Sequence, residues 1–306
     1  MARVLRITGF VSFLLVLPAC AVNTGSGIAD VIVAERGGFV PEGIEYDSNN
    51  NRLLVGSMTD GTIYQINNDG SLNAVVEDEE LLASVGIEVD EEGDRLLVAN
   101  SRFGEGESIA KLGVYELASG NKLAMVDLLA TLEDSSSGAN HFANDVAITP
   151  AGTAFVTDTP QNIVYRVDKY FNAELFLDLG EDSGLGLNGI EYHPAGYLIL
   201  AAMGTEQLLK VPVNNPQNWS LVELDFSVSG ADGLVWAEDG GLVVTSNNTS
   251  RVLKFSSDDD WRSAKLVGLA SFPGQATTAA VAGGEVFVVR PNFTSTDAPV
   301  ILRAQF

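Results

Sequence analysis

Five stretches of this chain share one grammar, and a sixth follows it in shortened form. LGLNGIEYHPAGYLILAAMGTEQLLKV, from Leu185, reads as a short apolar strand, a turn, a β-rich run, a polar loop and a third strand. The same order recurs in PEGIEYDSNNNRLLVGSMTDGTIYQI from Pro41, VGIEVDEEGDRLLVANS from Val85, ANDVAITPAGTAFVTDTPQNIVYRV from Ala143 and ADGLVWAEDGGLVVTSNNTSRVLKF from Ala231. TTAAVAGGEVFVVR, from Thr277, is the degraded copy. Aligned on Glu42, the matching positions are Val85, Asn144, Asn188, Asp232 and Thr277, at spacings of 43, 59, 44, 44 and 45 residues. A period in the forties with several strands per unit is the mark of one four-stranded blade per repeat. The chain is therefore expected to be an all-β, six-bladed β-propeller.

Five copies end in an apolar segment suited to an outer strand: Asn73–Val76, Leu123–Val126, Glu174–Leu177, Leu221–Leu224 and Lys265–Gly268. The sixth has none, because the chain stops after Glu285–Arg290 and Val300–Phe306. The run Val31-Ile32-Val33-Ala34, ahead of the first copy, supplies the missing strand, so the N-terminal strand should join the C-terminal blade and close the ring. Two irregularities stand out: the loop Ser101–Ala110 with the connection Leu128–Ala143, and the loop Pro291–Pro299. In a propeller these gather at one mouth, where specificity usually lies.

Residues 1–20 combine a basic start, a short apolar run and Leu17-Pro18-Ala19-Cys20, which reads as an export signal, too short to span a bilayer. Leu-x-Ala-Cys resembles a bacterial lipobox, with Cys20 as the lipid anchor; Ala19-Cys20-Ala21 also suits an ordinary signal peptidase. The expected organisation is a signal peptide at 1–20, a tether at 21–27 and the propeller at 28–306. It implies an exported lipoprotein held on the periplasmic side of a membrane, or a secreted protein if no lipid is attached. Cys20 is the only cysteine, so no intrachain disulfide forms. The 41 acidic against 17 basic residues give a formal charge of −24. Such a surface repels nucleic acid and anionic lipid and attracts divalent cations, and it also serves plain solubility. A monomer that meets the membrane only through its lipid is expected.

Glu42, Asn144, Asn188 and Asp232 begin the inner strands of four copies, and inner strands line the channel. Two carboxylates and two carboxamides converging on one axis are hard oxygen donors, the ligand chemistry of Ca²⁺. Mg²⁺, Mn²⁺ and Zn²⁺ are the other divalent candidates, although two histidines and no cysteine at the site suit zinc poorly. Turn-forming pairs such as Asn-Gly and Asp-Gly explain the residue types as strand starters. They do not explain four oxygen donors at one repeat position. Gly43, Gly86, Gly189 and Gly233 follow these positions, where backbones crowd the axis. Asn100, Arg102, Asp158, Asn247 and Arg290 are placed at the mouth by position, with Asn144, Asn100, Arg102, Asn247 and Arg290 as candidate substrate contacts. Asp232 is the candidate catalytic base, with His141 the alternative; His193, Trp219, Trp236 and Trp261 read as packing residues.

PEGIEYD, FAND, LNGIEY and ADGLVW resemble the site motifs of the regucalcin/gluconolactonase (SMP-30-like) family, with the paraoxonase, luciferin-regenerating and strictosidine-synthase-like propellers as more distant relatives. The resemblance implies that Glu42, Asn188 and Asp232 are core ligands of a channel cation, and that Asn144 binds metal or substrate. It implies hydrolysis of small lactones or esters. Where gluconolactonase-type members carry an arginine before the blade-three Asn-Asp, this chain has His141-Phe142-Ala143, and no counterpart of the paraoxonase histidine pair is evident. Two readings follow: a metal-dependent lactonase or esterase, and a non-catalytic, lipid-anchored binding propeller with a structural ion.

Overall fold

The computed structural model describes residues 25–102, 105–132 and 139–306. The signal segment, the lipobox and Cys20 lie outside the described residues. Six sheets follow one another around a ring, each entered at its innermost strand. Blade 1 is Ile44–Asp47, Arg52–Val55, Ile63–Ile66 and Leu72–Val76. Blade 2 is Ser84–Asp90, Arg95–Ser101, Ala110–Glu116 and Lys122–Asp127. Blade 3 is Ala143–Ile148, Ala154–Asp158, Ile163–Val167 and Ala173–Asp178. Blade 4 is Leu187–His193, Tyr197–Ala202, Gln207–Pro212 and Ser220–Leu221. Blade 5 is Ala231–Trp236, Leu242–Ser246, Arg251–Ser256 and Ser263–Ser271. Blade 6 is Ala279–Ala282, Glu285–Arg290, Val300–Ala304 and, from the other end of the chain, Val31–Val33.

The closure is antiparallel, with Val31 opposite Leu302, Ile32 opposite Ile301 and Val33 opposite Val300. Ile32 points inward and is 1% exposed, packed with Phe39, Ile44, Phe287 and Ile301, while Val31 and Val33 face out. This strand is short because only its central side chain is buried. Its ends are tied by Ala34 N–H to Pro299 O and by Arg303 N–H to Asp30 O.

One expected strand is divided. Leu221–Leu224 splits at Val222, whose N–H bonds Leu208 O within blade 4. Glu223–Leu224 instead runs parallel to Ser263 and Ala264, adding a fifth strand to blade 5. Val222 is buried against the Tyr197, Phe255 and Trp261 cluster, and it pins the chain where it crosses between blades. Trp236 and Trp261 meet edge to face at 5.0 Å, and His193 stacks on Tyr197 at 4.5 Å, so these three are packing residues. Trp219 is a departure from that expectation: it lies half-exposed beside the edge strand, which is too short to cover it.

The inner strands carry a feature that repeats like the sequence. In blade 3, Ala143 pairs with Asp158 and Val146 with Val156, so one extra residue bulges at Asn144-Asp145. The same shift occurs at Val85-Gly86, Asn188-Gly189 and Asp232-Gly233. An extra residue bends the strand and re-aims its side chain, which strict pleating would leave on a blade face. The glycines let neighbouring bulges touch: a Cβ on Gly189 would lie 2.2 Å from Asp232 O, and one on Gly43 2.5 Å from Val85 O.

Candidate metal centre and channel cavity

All six aligned repeat positions, Glu42, Val85, Asn144, Asn188, Asp232 and Thr277, line one cavity of about 220 Å³ at the channel mouth. Each is held by an inner strand or the residues just before it. The four oxygen-bearing members of the expected ligand set are more than nine-tenths buried, Glu42 at 8%, Asn144 at 7%, and Asn188 and Asp232 at 4% exposure. Thr277 Oγ1 donates to Glu42 O and Thr157 Oγ1 to Asn188 O, which locks adjacent blades at this level.

In two blades the residue immediately after the second strand hydrogen-bonds the ligand-position residue of the same blade. In blade 3 it is Thr159, and Asn144 Nδ2 donates to its hydroxyl at 2.9 Å. In blade 5 it is Asn247, which donates from Nδ2 to Asp232 Oδ2 at 2.9 Å. In blade 4 it is Met203, which offers no such hydrogen bond, and Asn188 Oδ1 is buried without a partner. Buried amide oxygens are nearly always satisfied, so this orphan, on a residue that lines the shared cavity, fits an electropositive ligand there.

Electrostatics point the same way. Burial pushes the Glu42 carboxyl well above its usual range, and Asp232 and Asp145 push it further. Burial raises Asp232 to about 7, with hydrogen bonds from Asn247 and Asn188 and the repulsion of Asp145 acting on it in opposite senses. Among the described residues no Lys, Arg or His lines the cavity. Two desolvated carboxyls with no basic neighbour, two carboxamides and an orphaned oxygen fit a hard divalent cation in donor type. Among the described residues no group of three or more His, Cys, Asp or Glu is arranged to hold a metal; here carboxamides are half of the donor set.

The other expected mouth residues are placed differently, and for all but Arg290 hydrogen bonding explains it. Asn100 is wholly buried: its Oδ1 accepts from Leu82 N–H at 3.0 Å and its Nδ2 donates to Glu80 O at 2.8 Å, leaving nothing for substrate. Arg102 donates from Nε to Glu107 O and staples its own loop. Arg290 packs against Gly274 and does not line the cavity. His141, expected as the alternative base, is 5% exposed and lies outside the cavity lining. Its Nδ1 is 2.7 Å from Oδ2 of the buried Asp158, which also accepts from Phe142 N–H and Tyr165 OH. Asn247 alone of the proposed mouth loop residues reaches the cavity beside the ligand positions.

Sequence reasoning missed Met58, Phe142, Met203 and Phe293, which with Val85 form an apolar wall. It also missed a second, far smaller space of about 10 Å³ deeper in the channel, lined by Glu45, Glu88, Asp145 and Glu191. The thrice-repeated triplet Gly-Ile-Glu, at Gly43, Gly86 and Gly189, was the available signal. Burial raises Glu45 to about 8 and Asp145 to about 7, and raises Glu88 and Glu191 well above the carboxylate range, with mutual repulsion adding to Glu45, Glu88 and Glu191.

No protein-family model and no curated protein sequence matches the chain. Solved structures do. The major allergen Mala s 1 of Malassezia sympodialis superposes with a TM-score of 0.74 at 18% identity, over 91% of this chain and 96% of that one. A calcium-binding protein, regucalcin, from Agrobacterium tumefaciens gives 0.63 at 15% identity over 90% and 93%. A gluconolactonase of Xanthomonas campestris gives 0.64 at 16% identity over 90% and 89%. At these identities the likeness is one of fold: the chain is a six-bladed β-propeller whose structural neighbours include regucalcin- and gluconolactonase-like proteins.

Proposed function

We propose that the protein is a divalent-cation-dependent hydrolase of lactones or related esters, with Ca²⁺ the favoured ion. The observation that carries this reading is the buried, partnerless Oδ1 of Asn188 in a cavity it shares with Glu42, Asn144 and Asp232. Regucalcin, a calcium-binding protein, and a gluconolactonase share the fold, which supports the reading at the level of architecture.

Glu42, Asn144, Asn188 and Asp232 hold the ion. When bound, it supplies Lewis-acid polarisation of the ester carbonyl and stabilises the charge developing on that oxygen. Asp232 also serves as the general base, with Asn247 fixing one of its carboxylate oxygens. The water oxygen bonds to the carbonyl carbon, the water proton passes to Asp232, the acyl C–O bond breaks, and the proton returns to the departing alkoxide. The product is a hydroxy acid. His141 takes no part, because Asp158 holds it outside the cavity.

The test is bound-metal content, thermal stability and lactone turnover, with Asp232→Asn and Asn188→Leu as variants. One equivalent of ion in the parent, lost with turnover in Asp232→Asn, is expected. Asn188→Leu should fold at least as stably without metal as the parent, since it removes an unpaired polar atom, and bind the ion about 100-fold more weakly. Absence of any bound ion would end the hydrolase reading, and a bound ion without turnover would favour the binding propeller.

A further inference from the structure

Above its oxygen-rich floor the cavity is apolar on opposite sides. Met58 follows the second strand of blade 1 and Met203 that of blade 4, and these blades face one another across a six-bladed ring. Phe142, entering blade 3, and Phe293, on the loop of blade 6, form the other opposed pair, with Val85 below them. Among the described residues no basic side chain lines the cavity to meet a carboxylate or phosphate, and two of the carboxamides already donate within the protein, Asn144 Nδ2 to Thr159 and Asn247 Nδ2 to Asp232. A polyhydroxylated ring would bury hydroxyls against thioether and phenyl surface, where each unpaired one costs about 1–3 kcal/mol in protein settings. An anion would meet two carboxyls in a chain of formal charge −24.

We propose that this site selects an uncharged, apolar lactone or ester, one carrying an alkyl or aryl substituent, over a sugar-derived or acidic one. The proposal rests on the hydrolase reading above for its reaction and on the wall residues for its selectivity. Methionine adapts to several ligand shapes, so the wall discriminates by polarity more than by outline. A cavity of 150 Å³ holds benzene; by that scale, about 220 Å³ takes roughly nine heavy atoms, a small lactone ring with a short chain. Longer chains extend past Phe293, which is half-exposed at the rim.

The experiment has two arms, both on the full chain with Ca²⁺ present. In the first, kcat/KM is measured for γ-lactones of increasing alkyl chain beside glucono-δ-lactone. The expected result is a rise of about fourfold (~0.8 kcal/mol) for each methylene that enters the wall, then a plateau. The hydroxylated lactone should be turned over at least about 100-fold more slowly than an alkyl lactone of equal size. In the second, the matching lactams, which resist hydrolysis, are titrated and the melting temperature followed. Chain-length-dependent stabilisation by lactams without turnover of any lactone would uphold the ligand class and overturn the hydrolase reading. Hydrolysis of glucono-δ-lactone equal to or faster than the alkyl series would overturn the ligand class and leave the hydrolase standing. No response to any lactone or lactam would overturn both. Met203→Gln, near in size and polar, should flatten the chain-length dependence at saturating Ca²⁺; an unchanged slope counts against the wall as the selector.

Discussion

Asn247 holds Asp232: its Nδ2 donates to the Oδ2 carboxylate oxygen at 2.9 Å, and the two residues lie 15 positions apart on the same blade. The bond favours the charged carboxylate, while burial favours the neutral acid and leaves Asp232 at about 7. Cation uptake must therefore displace protons below neutrality, and affinity should fall as pH drops through about 7. Asn247→Ala removes the bond that lowers the Asp232 pKa, so the pH at which half the affinity is lost should move up by about one unit. Calorimetric titration with Ca²⁺ from pH 5.5 to 8.5 reads the shift. Superposed curves for parent and variant would show that Asn247 does not tune Asp232.

His141 and Asp158 form a buried pair outside the cavity lining. Asp158 is fully buried and meets Nδ1 of His141, N–H of Phe142 and OH of Tyr165, so losing the imidazole removes one of three partners from a buried carboxylate. His141→Ala should cost about 2–4 kcal/mol of stability while kcat stays within about threefold. A collapse of kcat at unchanged denaturation midpoint would instead make His141 the base.

The deep channel acids make stability fall with alkalinity. Glu45 is raised from 4.5 to about 8, chiefly by burial, with Asp145 and Glu91 adding repulsion against a hydrogen bond from Tyr46 N–H. Between those values the folded chain holds a proton that the unfolded chain releases, so stability is greatest at the acid end of the window and is lost as pH rises through about 8. Glu45→Gln cannot ionise. It should match the parent near pH 5 and exceed it at pH 8.5 by on the order of 2 kcal/mol in urea denaturation. Equal stability of the two at pH 8.5 would contradict the burial argument.

Ring closure depends on a single inward side chain in the N-terminal strand. Ile32 is 1% exposed between Phe39 and Phe287, whereas Val31 is 54% exposed. Ile32→Ala should cost about 2–4 kcal/mol and Val31→Ala under about 0.5. Deleting residues 300–306 removes the strand between Glu285–Arg290 and Val31–Val33, and should abolish cooperative unfolding. A deletion variant with the parent's denaturation midpoint would show that the ring holds without this seam.

The repeat by itself determined the number of blades, the strand that closes the ring, and the set of six residues that share the cavity. Register in a propeller is covalent: the repeated motif from Glu42 to Thr277 places equivalent residues on or at equivalent inner strands, even across the longer interval from Val85 to Asn144. The sequence did not reveal which polar groups remain available. Asn100, Arg102 and Asp158 are spent on backbone or side-chain partners, and those bonds form only when loops close. The inner-strand bulges, the apolar wall and the acid chamber were likewise settled by tertiary structure, since each draws residues from several blades at once. Glu45, Glu88 and Glu191 sit in ordinary strand sequence. Only convergence on one axis, away from bulk water, gives them pKa values unlike those of surface glutamates.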